Sequence, residues 1–572
     1  MFDRLWLLDK GGYMIYDGDP VEALVYFKTE TSQANAAESE CPNCGNVETD
    51  NILHIVEVKV IDNSGYPGKE RQISPKEWYE KYKRKMMPVL GDKPSKTVIP
   101  PSNFRVPEKA NQIRTFIKRN MTRKIADRQY MTINLLEAPL LAFILGYISK
   151  FSENGVYSFA NNKNYPVFLF MAVIVALFIG LTVSAEEIFR DRKILEREKF
   201  LDLSRLSYLL SKINFLFALS AIQSLSFILV ANLILDVRGM LFQQWIILFS
   251  TACFGNLLGL NISAGMRTAV SIYILIPLIL VPMLILGGAM IKFDDLHKTI
   301  SKKTYVPVIG DIMVTRWAYE ALCVEEFRRN KFEKPFFKLD MEKSQNDWYS
   351  SFLLPTLKVK VNECLTAGKD PVYREYSESN FKKINYHINE LSSFSGIKPG
   401  KWFNNMNYQE FNEFVAAEAK IFIDSLKTLF SLKSRSISYK RDTLVKQIAD
   451  RMGEAEFIKM REKDYNESLA DIVLNRLATN KIYDAENKLI QKADPVFMPP
   501  GSKFGRAPCF APYKQSGDRK IGTLIFNIIA IWLMIFILFI TLYYNLLKRF
   551  IVLLESLKLP ILRKFGRELL QF

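Results

Sequence analysis

Two cysteines in the segment CPNCGN have a spacing that suggests metal chemistry. Cys41 and Cys44 form a Cys-x-x-Cys pair, which can supply half of a structural zinc site. Such a site needs four ligands, yet the nearest histidine is His54 and no second Cys-x-x-Cys pair follows. Two interpretations stay open: a zinc site completed by ligands outside this sequence, and a simple turn at the surface.

The sequence offers no set of residues for nucleotide hydrolysis. Its Gly-Lys pairs stand in PGKE, AGKD and PGKW, and none is followed by Ser or Thr. A phosphate-binding loop needs a Gly-rich turn that opens a helix, with the Lys on the β- and γ-phosphates. With three histidines in the chain, no Ser-His-Asp or Cys-His set can be assembled either. We therefore predict no catalytic residue, no bound cofactor and no enzymatic activity of this chain by itself.

Polar side chains also occur inside stretches that are otherwise apolar. Asn214 and Asn256 are two of them, and Pro277 and Pro282 lie in a later apolar stretch. A polar residue in such a place bonds a neighbouring helix or faces a cavity, so helix packing and substrate contact both remain open. The prolines are expected to kink their helix.

These residues lie in a chain with two compositions. Mean hydropathy is +0.01, but six windows are nearly free of charge over about 20 residues, the length that crosses a bilayer. The six windows are Ile133–Ser149, Pro166–Ala185, Ile213–Leu235, Leu241–Ile262, Val270–Ile291 and Ile521–Tyr544. We predict a mainly α-helical membrane protein with six transmembrane helices.

The net charge of +17 would suggest nucleic acid in a soluble protein, but here its distribution indicates orientation. The segment QIRTFIKRNMTRKIADRQY, before the first window, and the C-terminal tail are both basic. Positive charge marks cytoplasmic segments. We therefore predict a multi-pass protein of the cell membrane with both termini in the cytoplasm and no nucleic-acid partner. Residues 292–520 would then lie outside.

A charged connector, AEEIFRDRKILEREKF, joins the second and third windows. As a helix it pairs Glu186 with Arg190 and Arg192 with Glu196 at i,i+4, and it contains no Gly or Pro. Ile188 and Leu195 are seven residues apart and fall on one apolar face. The connector is either a rigid transmission element or a solvated hairpin. We favour the rigid element.

The remaining segments fall outside the membrane. LWLLDKGGYMIYDGDP predicts strand, turn and strand, ILHIVEVKVID a strand, and PKEWYEKYKRKM a helix. Residues 292–520 contain long amphipathic helices and predict a mainly helical extracytoplasmic domain. One disulfide among Cys323, Cys364 and Cys509 is possible, with the pairing undecided.

Three stretches resemble G-subfamily ABC transporters of the white/breast-cancer-resistance type. FDRLWLLDKGGYMIYDGDPVEALVYF resembles the end of that family's nucleotide-binding domain. The connector through LSRLSYLLSK resembles the link between the family's second and third spans. VTRWAYEALCVEEF resembles the stretch that follows the fifth span. The resemblance covers about half of the chain: Met1–Lys28, Asn111–Phe327 and the last span.

The resemblance implies the following organisation. Residues 1–28 are the end of a nucleotide-binding domain and 29–110 a cytoplasmic linker, and 111–291 hold an amphipathic connecting helix and transmembrane helices 1–5. An extracytoplasmic domain at 292–520, transmembrane helix 6 at 521–546 and a basic cytoplasmic tail at 547–572 complete the chain.

The resemblance also assigns roles. The connector packs on the amphipathic helix Asn111–Tyr130, and both contact the ATPase. The coupling residues are then Glu186, Glu187, Phe189, Arg190, Arg192, Arg119 and Arg123. The resemblance would place Leu284 and Leu286 near an outer gate, and the residues Asn214, Asn256 and Pro277 of the apolar windows are the further candidates for the substrate path.

The expected function is the permease half of an ABC exporter for an amphiphilic or lipid-like substrate. ATP and Mg²⁺ would bind an ATPase domain that is absent from this sequence, either as the preceding part of a longer protein or on another chain. The expected partners are a second copy or a homologous half-transporter, that ATPase domain and the lipid bilayer. A different class stays open: a membrane-anchored scaffold or sensor whose outer domain binds a partner.

Overall fold

The computed structural model describes residues 4–34, 36–37, 49–61, 67–87, 108–152, 155–198, 203–301 and 303–556. The candidate metal ligands Cys41 and Cys44 lie outside these residues. The chain divides into two compact units, Met1–Arg105 and Val106–Phe572.

The first unit consists of two strand hairpins and three helices. Its elements are β1 (Leu5–Asp9), β2 (Tyr13–Gly18), α1 (Pro20–Glu30), α2 (Thr49–Val56), β3 (Lys59–Ile61), β4 (Pro67–Arg71) and α3 (Pro75–Lys85). Strand β1 pairs antiparallel with β2, and β3 pairs antiparallel with β4. Gly11 and Gly12 have φ values of +88° and +77° in the first turn, a region that favours glycine. The predicted strand–turn–strand is therefore confirmed.

An aromatic cluster forms the core of this unit. The buried rings of Phe27 and Trp78 meet edge to face with centroids 5.2 Å apart.

Helix α3 was predicted correctly and begins with a capping box between Ser74 and Glu77. The strand predicted over ILHIVEVKVID is wrong in its first half, which lies in helix α2. Residues 52, 55 and 56 of that helix share one face at three- and four-residue steps and bury it in the core.

The second unit contains a bundle of apolar helices. Its helices are α4 (Lys109–Ala126), α5 (Arg128–Ser149), α6 (Tyr165–Ser184), α7 (Glu187–Arg197), α8 (Arg205–Leu235), α9 (Leu241–Gly265), α10 (Ala269–Ile285), α19 (Thr523–Tyr543) and α20 (Leu546–Ser556), with α11 to α18 between α10 and α19. In the described residues, five helices are long and apolar enough to cross a membrane: α5, α6 continued by α7, α8, α9 and α19. Helix α10 is apolar but has 17 residues.

Several boundaries differ from the predicted ones, and the largest difference is at α8, which begins at Arg205, eight residues before the predicted Ile213. The amphipathic helix predicted over Asn111–Tyr130 ends at Ala126, because Asp127 leaves the helical conformation and accepts a hydrogen bond from the backbone N–H of Tyr130. The fifth apolar helix, α10, ends at Ile285 instead of Ile291. Gly287 and Gly288 follow, and Gly288 has a φ of +82°.

Helices α6 and α9 pack closely through small residues. A Cβ atom added at Gly255 would lie 2.6 Å from the carbonyl oxygen of Leu177, and one at Gly180 would lie 2.3 Å from that of Ala252. Gly255 and Gly259 form a Gly-x-x-x-Gly motif, whose missing side chains let two backbones approach. We call this contact the glycine seam. It makes α6 and α9 one packed pair.

Residues 292–520, here called the insertion region, are mainly helical as predicted. They contain α11 (Val308–Asp311), α12 (Val314–Arg329), α13 (Phe337–Trp348), α14 (Leu354–Ala367), α15 (Arg374–Ser395), α16 (Glu413–Met452), α17 (Glu454–Asp464) and α18 (Glu467–Val473). Two short antiparallel hairpins, β5 (Ile482–Asp484) with β6 (Leu489–Gln491) and β7 (Tyr513–Ser516) with β8 (Arg519–Gly522), complete it at its C-terminal side.

Helices of the insertion region contribute to two hydrophobic cores, one within the region and one shared with the apolar bundle. Helices α14, α15 and the first half of α16 bury a core of their own. In contrast, α12 and α18 contribute to the core of the apolar bundle. Part of the insertion region is thus continuous with the bundle, at the end opposite to the connector helix α7.

Candidate functional site

The connector forms helix α7, and a side chain from another helix caps its first turn. The hydroxyl oxygen of Ser263, in the last turn of α9, accepts hydrogen bonds from the backbone N–H groups of Ile188 and Phe189, at 3.0 and 2.9 Å. The first N–H groups of a helix have no partner within it, so this contact satisfies two of them. The apolar side chains Ile188 and Leu195 pack on the bundle core, and Ile194 is exposed.

A buried ion cluster holds α7 against α4 and α8. Glu187 on α7 forms an ion pair with Lys212 on α8 at 2.9 Å and another with Lys124 on α4. The Glu187 side chain is 6% exposed and that of Lys212 is 4% exposed. Burial lowers the pKa of Lys124, although the Glu187 carboxylate opposes the shift.

Asp191, one helical turn beyond Glu187, joins the same cluster. It contacts Lys212 at 2.8 Å and Arg123 of α4 at 2.8 Å, and it accepts a hydrogen bond from the Tyr208 hydroxyl at 3.1 Å. We name Arg123, Lys124, Glu187, Asp191 and Lys212 the connector cluster. Four of these side chains are at most 10% exposed, whereas Arg123 is 54% exposed at the edge of the cluster. Buried charges are stable only when paired, so these pairs fix the three helices relative to one another.

Other predicted coupling residues lie around the connector cluster. Arg119 pairs with Glu198 at 2.8 Å, which links α4 to the end of α7. The predicted Glu186–Arg190 pair is present at 2.6 Å, and the Tyr273 hydroxyl of α10 also donates to Glu186.

The remaining two predicted coupling residues, Arg192 and Phe189, contact groups outside the connector cluster. The Arg192 guanidinium donates instead to the Met266 carbonyl at 2.7 Å, so the predicted Arg192–Glu196 pair is wrong. Phe189 is partly buried in a small core between α6, α9 and α10.

Three members of the connector cluster were missed from the sequence: Lys124, Asp191 and Lys212. The sequence could have indicated that Lys212 is paired, because it is a lone cation at the edge of the apolar window that starts at Ile213. A charge there is costly unless it is paired. The pairing itself required the fold, since Lys212 and Lys124 are far apart in the chain.

The predicted path residues do not form one group in this chain. Asn256 is buried and donates to the Ser220 hydroxyl at 2.7 Å, a bond from α9 to α8. Asn214 and Pro277 are exposed, while Leu284 and Leu286 are half-buried at the end of α10. Helix α10 continues through both of its prolines.

A second buried ion cluster lies at the other end of the bundle. Glu320 on α12 pairs with Lys514 on β7 at 2.8 Å, and both side chains are fully buried. Asn527 of α19 donates to Glu320 at 2.9 Å and accepts from Lys514 at 3.0 Å. Burial and the nearby Arg316 lower the pKa of Lys514 to about 8. This Glu320 cluster ties the insertion region to the last apolar helix.

A chain of hydrogen bonds near the same end involves a third buried carboxyl group. Glu326 accepts from the Tyr165 hydroxyl at 2.8 Å and from the Gln244 amide at 3.3 Å. Burial raises the pKa of Glu326 to about 7. The contact joins α12 to the first turns of α6 and α9.

The possible disulfide is absent from the described part of the chain. Cys253, Cys323, Cys364 and Cys509 are all free thiols there. Burial raises the pKa of Cys364 to about 12, so this thiol is neutral at physiological pH.

Residues 111–327 match the family model described as ABC-2 type transporter. The match supports an ABC-2 type membrane component over these 217 of the 572 residues. The matched range coincides with the Asn111–Phe327 segment predicted from the resemblance, and it contains the connector cluster and all but the last two residues of α12. No curated protein matches the chain.

The match and the apolar helices together identify a multi-pass membrane protein that carries the membrane component of an ABC transporter. Membrane domains of the ABC-2 type work in general with ABC ATPase partners and are in general not catalytic themselves.

Proposed function

We propose that the chain is the permease half of a G-subfamily ABC exporter that moves an amphiphilic or lipid-like substrate by ATP-driven alternating access. The observation that carries this proposal is the connector cluster. Its buried pairs join Glu187 and Asp191 of the connector to α4 and α8, so force applied to α4 or α7 is passed to the apolar bundle.

The connector cluster favours rigid transmission over a solvated hairpin. A solvated link would keep its charges in water, whereas two carboxylates and three cations here are paired between helices. Removing one partner of a buried pair leaves an uncompensated charge, which costs about 3–5 kcal/mol. A conformational change driven by ATP would therefore move α4, α7 and the start of α8 as one body.

We propose six spans, with α10 as the fifth. Its 17 residues extend about 26 Å at 1.5 Å each, close to the hydrocarbon thickness of about 30 Å. The end of the bundle that carries α4 and α7 is basic, which favours the cytoplasm for that end and the exterior for the insertion region. Both termini would then be cytoplasmic, and the first unit would contain the end of a nucleotide-binding domain.

A second copy or a homologous half-transporter is the proposed partner in the membrane. Helix α10 presents exposed apolar side chains along its length, among them Val270, Ile274, Leu278 and Val281. An apolar face of this kind packs against lipid or another helix. Pairing two bundles along it would enclose the path near Leu284 and Leu286.

A cavity of about 160 Å³ beyond the end of α10 supports the amphiphilic substrate class. Phe293, Tyr319 and Phe510 supply apolar walls, and Lys292 and Lys303 supply positive charge. A molecule with an apolar body and a polar or anionic end fits this lining better than a small ion does. ATP and Mg²⁺ would act on the ATPase domain and not on this chain.

A reconstituted flux assay tests the proposal. The chain would be placed in liposomes with a cassette ATPase, and ATP-dependent movement of a fluorescent lipid would be measured. We expect flux that the Lys212→Met variant abolishes and the Arg238→Gln variant keeps, since the Arg238 side chain is 52% exposed and lies outside the connector. No flux with any cassette ATPase, together with capture of a partner by the insertion region, would instead indicate a membrane-anchored scaffold or sensor.

A further inference from the structure

A cavity beside the first turn of α19 is lined by arginine and aromatic side chains. It has a volume of about 230 Å³ and lies between the N-terminal end of α12, the first turn of α19 and the segment around residue 505. Its lining includes Asp311, Arg316, Trp317, Phe504, Arg506 and Phe526. For comparison, an engineered apolar cavity of about 150 Å³ holds a benzene ring, so the present cavity is larger. We name it the Arg316 cavity.

Arg316 is buried with donors that the protein does not use. The Arg316 residue is 2% exposed, and its guanidinium carbon lies 3.8 Å from the centre of the Trp317 ring. Among the described residues, no acceptor forms a hydrogen bond with its Nε or Nη1 atom. The nearest carboxylates, Glu320 and Asp311, are 3.5 and 3.7 Å from Nη1 and form ion pairs without hydrogen bonds. A buried donor without an acceptor is costly, so these atoms favour an added acceptor.

The charges around the Arg316 cavity are not balanced. Arg316, Arg506 and Lys514 are three cations, and Asp311 and Glu320 are two carboxylates, which leaves one positive charge in excess. Arg506 reaches Asp311 only at 3.7 Å. An anion placed among these groups would relieve the excess.

The aromatic side chains indicate what surrounds the Arg316 cavity. Phe504 is 92% exposed, and Phe526 lies in the first turn of α19. The end of a membrane helix is the level of the lipid head groups, where aromatic rings are common. With α19 in a bilayer, the cavity would lie at the level of the head groups and the first part of the acyl chains.

We propose that the Arg316 cavity binds the anionic head group of a membrane amphiphile, a phosphate or a carboxylate, between Arg316 and Arg506. Arginine suits both groups because its planar guanidinium donates several hydrogen bonds in a fixed geometry. The apolar tail leaves the cavity past Phe504 and Phe526. The site requires α19 to lie in a bilayer but requires no transport, so it stands apart from the exporter function.

Lipid retention by the full chain tests this site. The purified chain would be placed in phosphatidylcholine nanodiscs in three ways: alone, with dioleoylphosphatidylglycerol, and with inorganic phosphate. Native mass spectrometry would count retained anionic lipids, and the midpoint of thermal unfolding would report stabilisation. The variants are Arg506→Gln, Arg316→Lys and, as a matched control on the same helix, Arg329→Gln, whose side chain is 46% exposed.

We expect phosphatidylglycerol to be retained and to raise the unfolding midpoint, whereas phosphate alone does not. Loss of one charge-assisted hydrogen bond in Arg506→Gln should weaken retention about tenfold, with Arg329→Gln unchanged. Equal retention by all variants would overturn the proposal, as would an equal shift with phosphate alone, which would show a free anion instead of an amphiphile. Because no ATPase is present, failure here would leave the exporter proposal untouched.

Discussion

Glu187 and Lys212 form an ion pair at 2.9 Å, although both side chains are more than nine-tenths buried. The pair joins the connector to the start of the third apolar helix in the sequence. Two ions taken out of water lose hydration that only close pairing and further hydrogen bonds repay. The additional contacts from Lys124 and Asp191 meet that requirement, so the pair is part of a shared cluster.

We expect Lys212→Met to destabilise the chain by about 3–5 kcal/mol, because Glu187 and Asp191 lose their common partner while they stay buried. The free energy of unfolding in mixed detergent micelles measures this change. The Arg190→Gln variant is the control, since its exposed pair with Glu186 should contribute at most about 1 kcal/mol. Similar losses in the two variants would show that the connector cluster has no special role.

The glycine seam gives a second prediction. We expect Gly255→Ala to destabilise the bundle by about 1–3 kcal/mol, because the added Cβ would lie 2.6 Å from a backbone oxygen that cannot move alone. Gly265→Ala, on the same helix, is the matched control. Its Cβ would meet the flexible end of the Leu547 side chain at 3.1 Å. Thermal unfolding in detergent measures both, and an unchanged midpoint for Gly255→Ala would contradict the close contact of α6 and α9.

Glu333, just after α12, should make stability depend on pH. Burial and the neighbouring Asp340 raise the pKa of this 4% exposed residue from 4.5 to about 8. The folded chain therefore holds a proton that the unfolded chain releases, so this contribution to stability is complete below about pH 4.5 and is lost as the pH rises through 8. Unfolding midpoints measured between these pH values should fall as the pH increases.

Glu333→Gln should remove this part of the pH dependence, because the amide stays neutral and can still donate to Asp340. The variant should be more stable than the parent chain at pH values above 8. Glu342→Gln, an exposed position on α13, is the control and should keep the parent's slope. If the Glu333→Gln slope equals that of the parent chain, another group is responsible.

Asn256 and Asn214 provide a matched pair of polar residues on apolar helices. Because Asn256 donates to Ser220 of α8, we expect Asn256→Ala to lower stability by about 0.6–1.7 kcal/mol. Asn214→Ala, at an exposed position, should leave stability unchanged. Unfolding in detergent compares the two. A loss of stability in Asn214→Ala alone would reverse this assignment.

Local patterns in the sequence predicted the elements but not their contacts. The apolar windows predicted the existence of each long helix but missed up to eight residues at its start, as at Arg205 of α8, and the connector was correctly predicted as a helix with an apolar face. Ile52 to Val56 were misread as a strand because a short apolar run fits both periods. The Glu320–Lys514 pair joins residues 194 positions apart, and no local pattern indicates such a partner. The Gly255-x-x-x-Gly259 motif was visible in the sequence and could have predicted the seam.

Because Ser263 of α9 caps α7, the length of α9 determines the position of the connector helix. One residue added between Gly259 and Ser263 would rotate the hydroxyl by about 100° around the helix axis, since an α-helix has 3.6 residues per turn. The hydroxyl would then face away from both N–H groups, while the glycine contacts above it stayed in register. We infer that insertions and deletions are excluded from this last turn even though many side chains there could change.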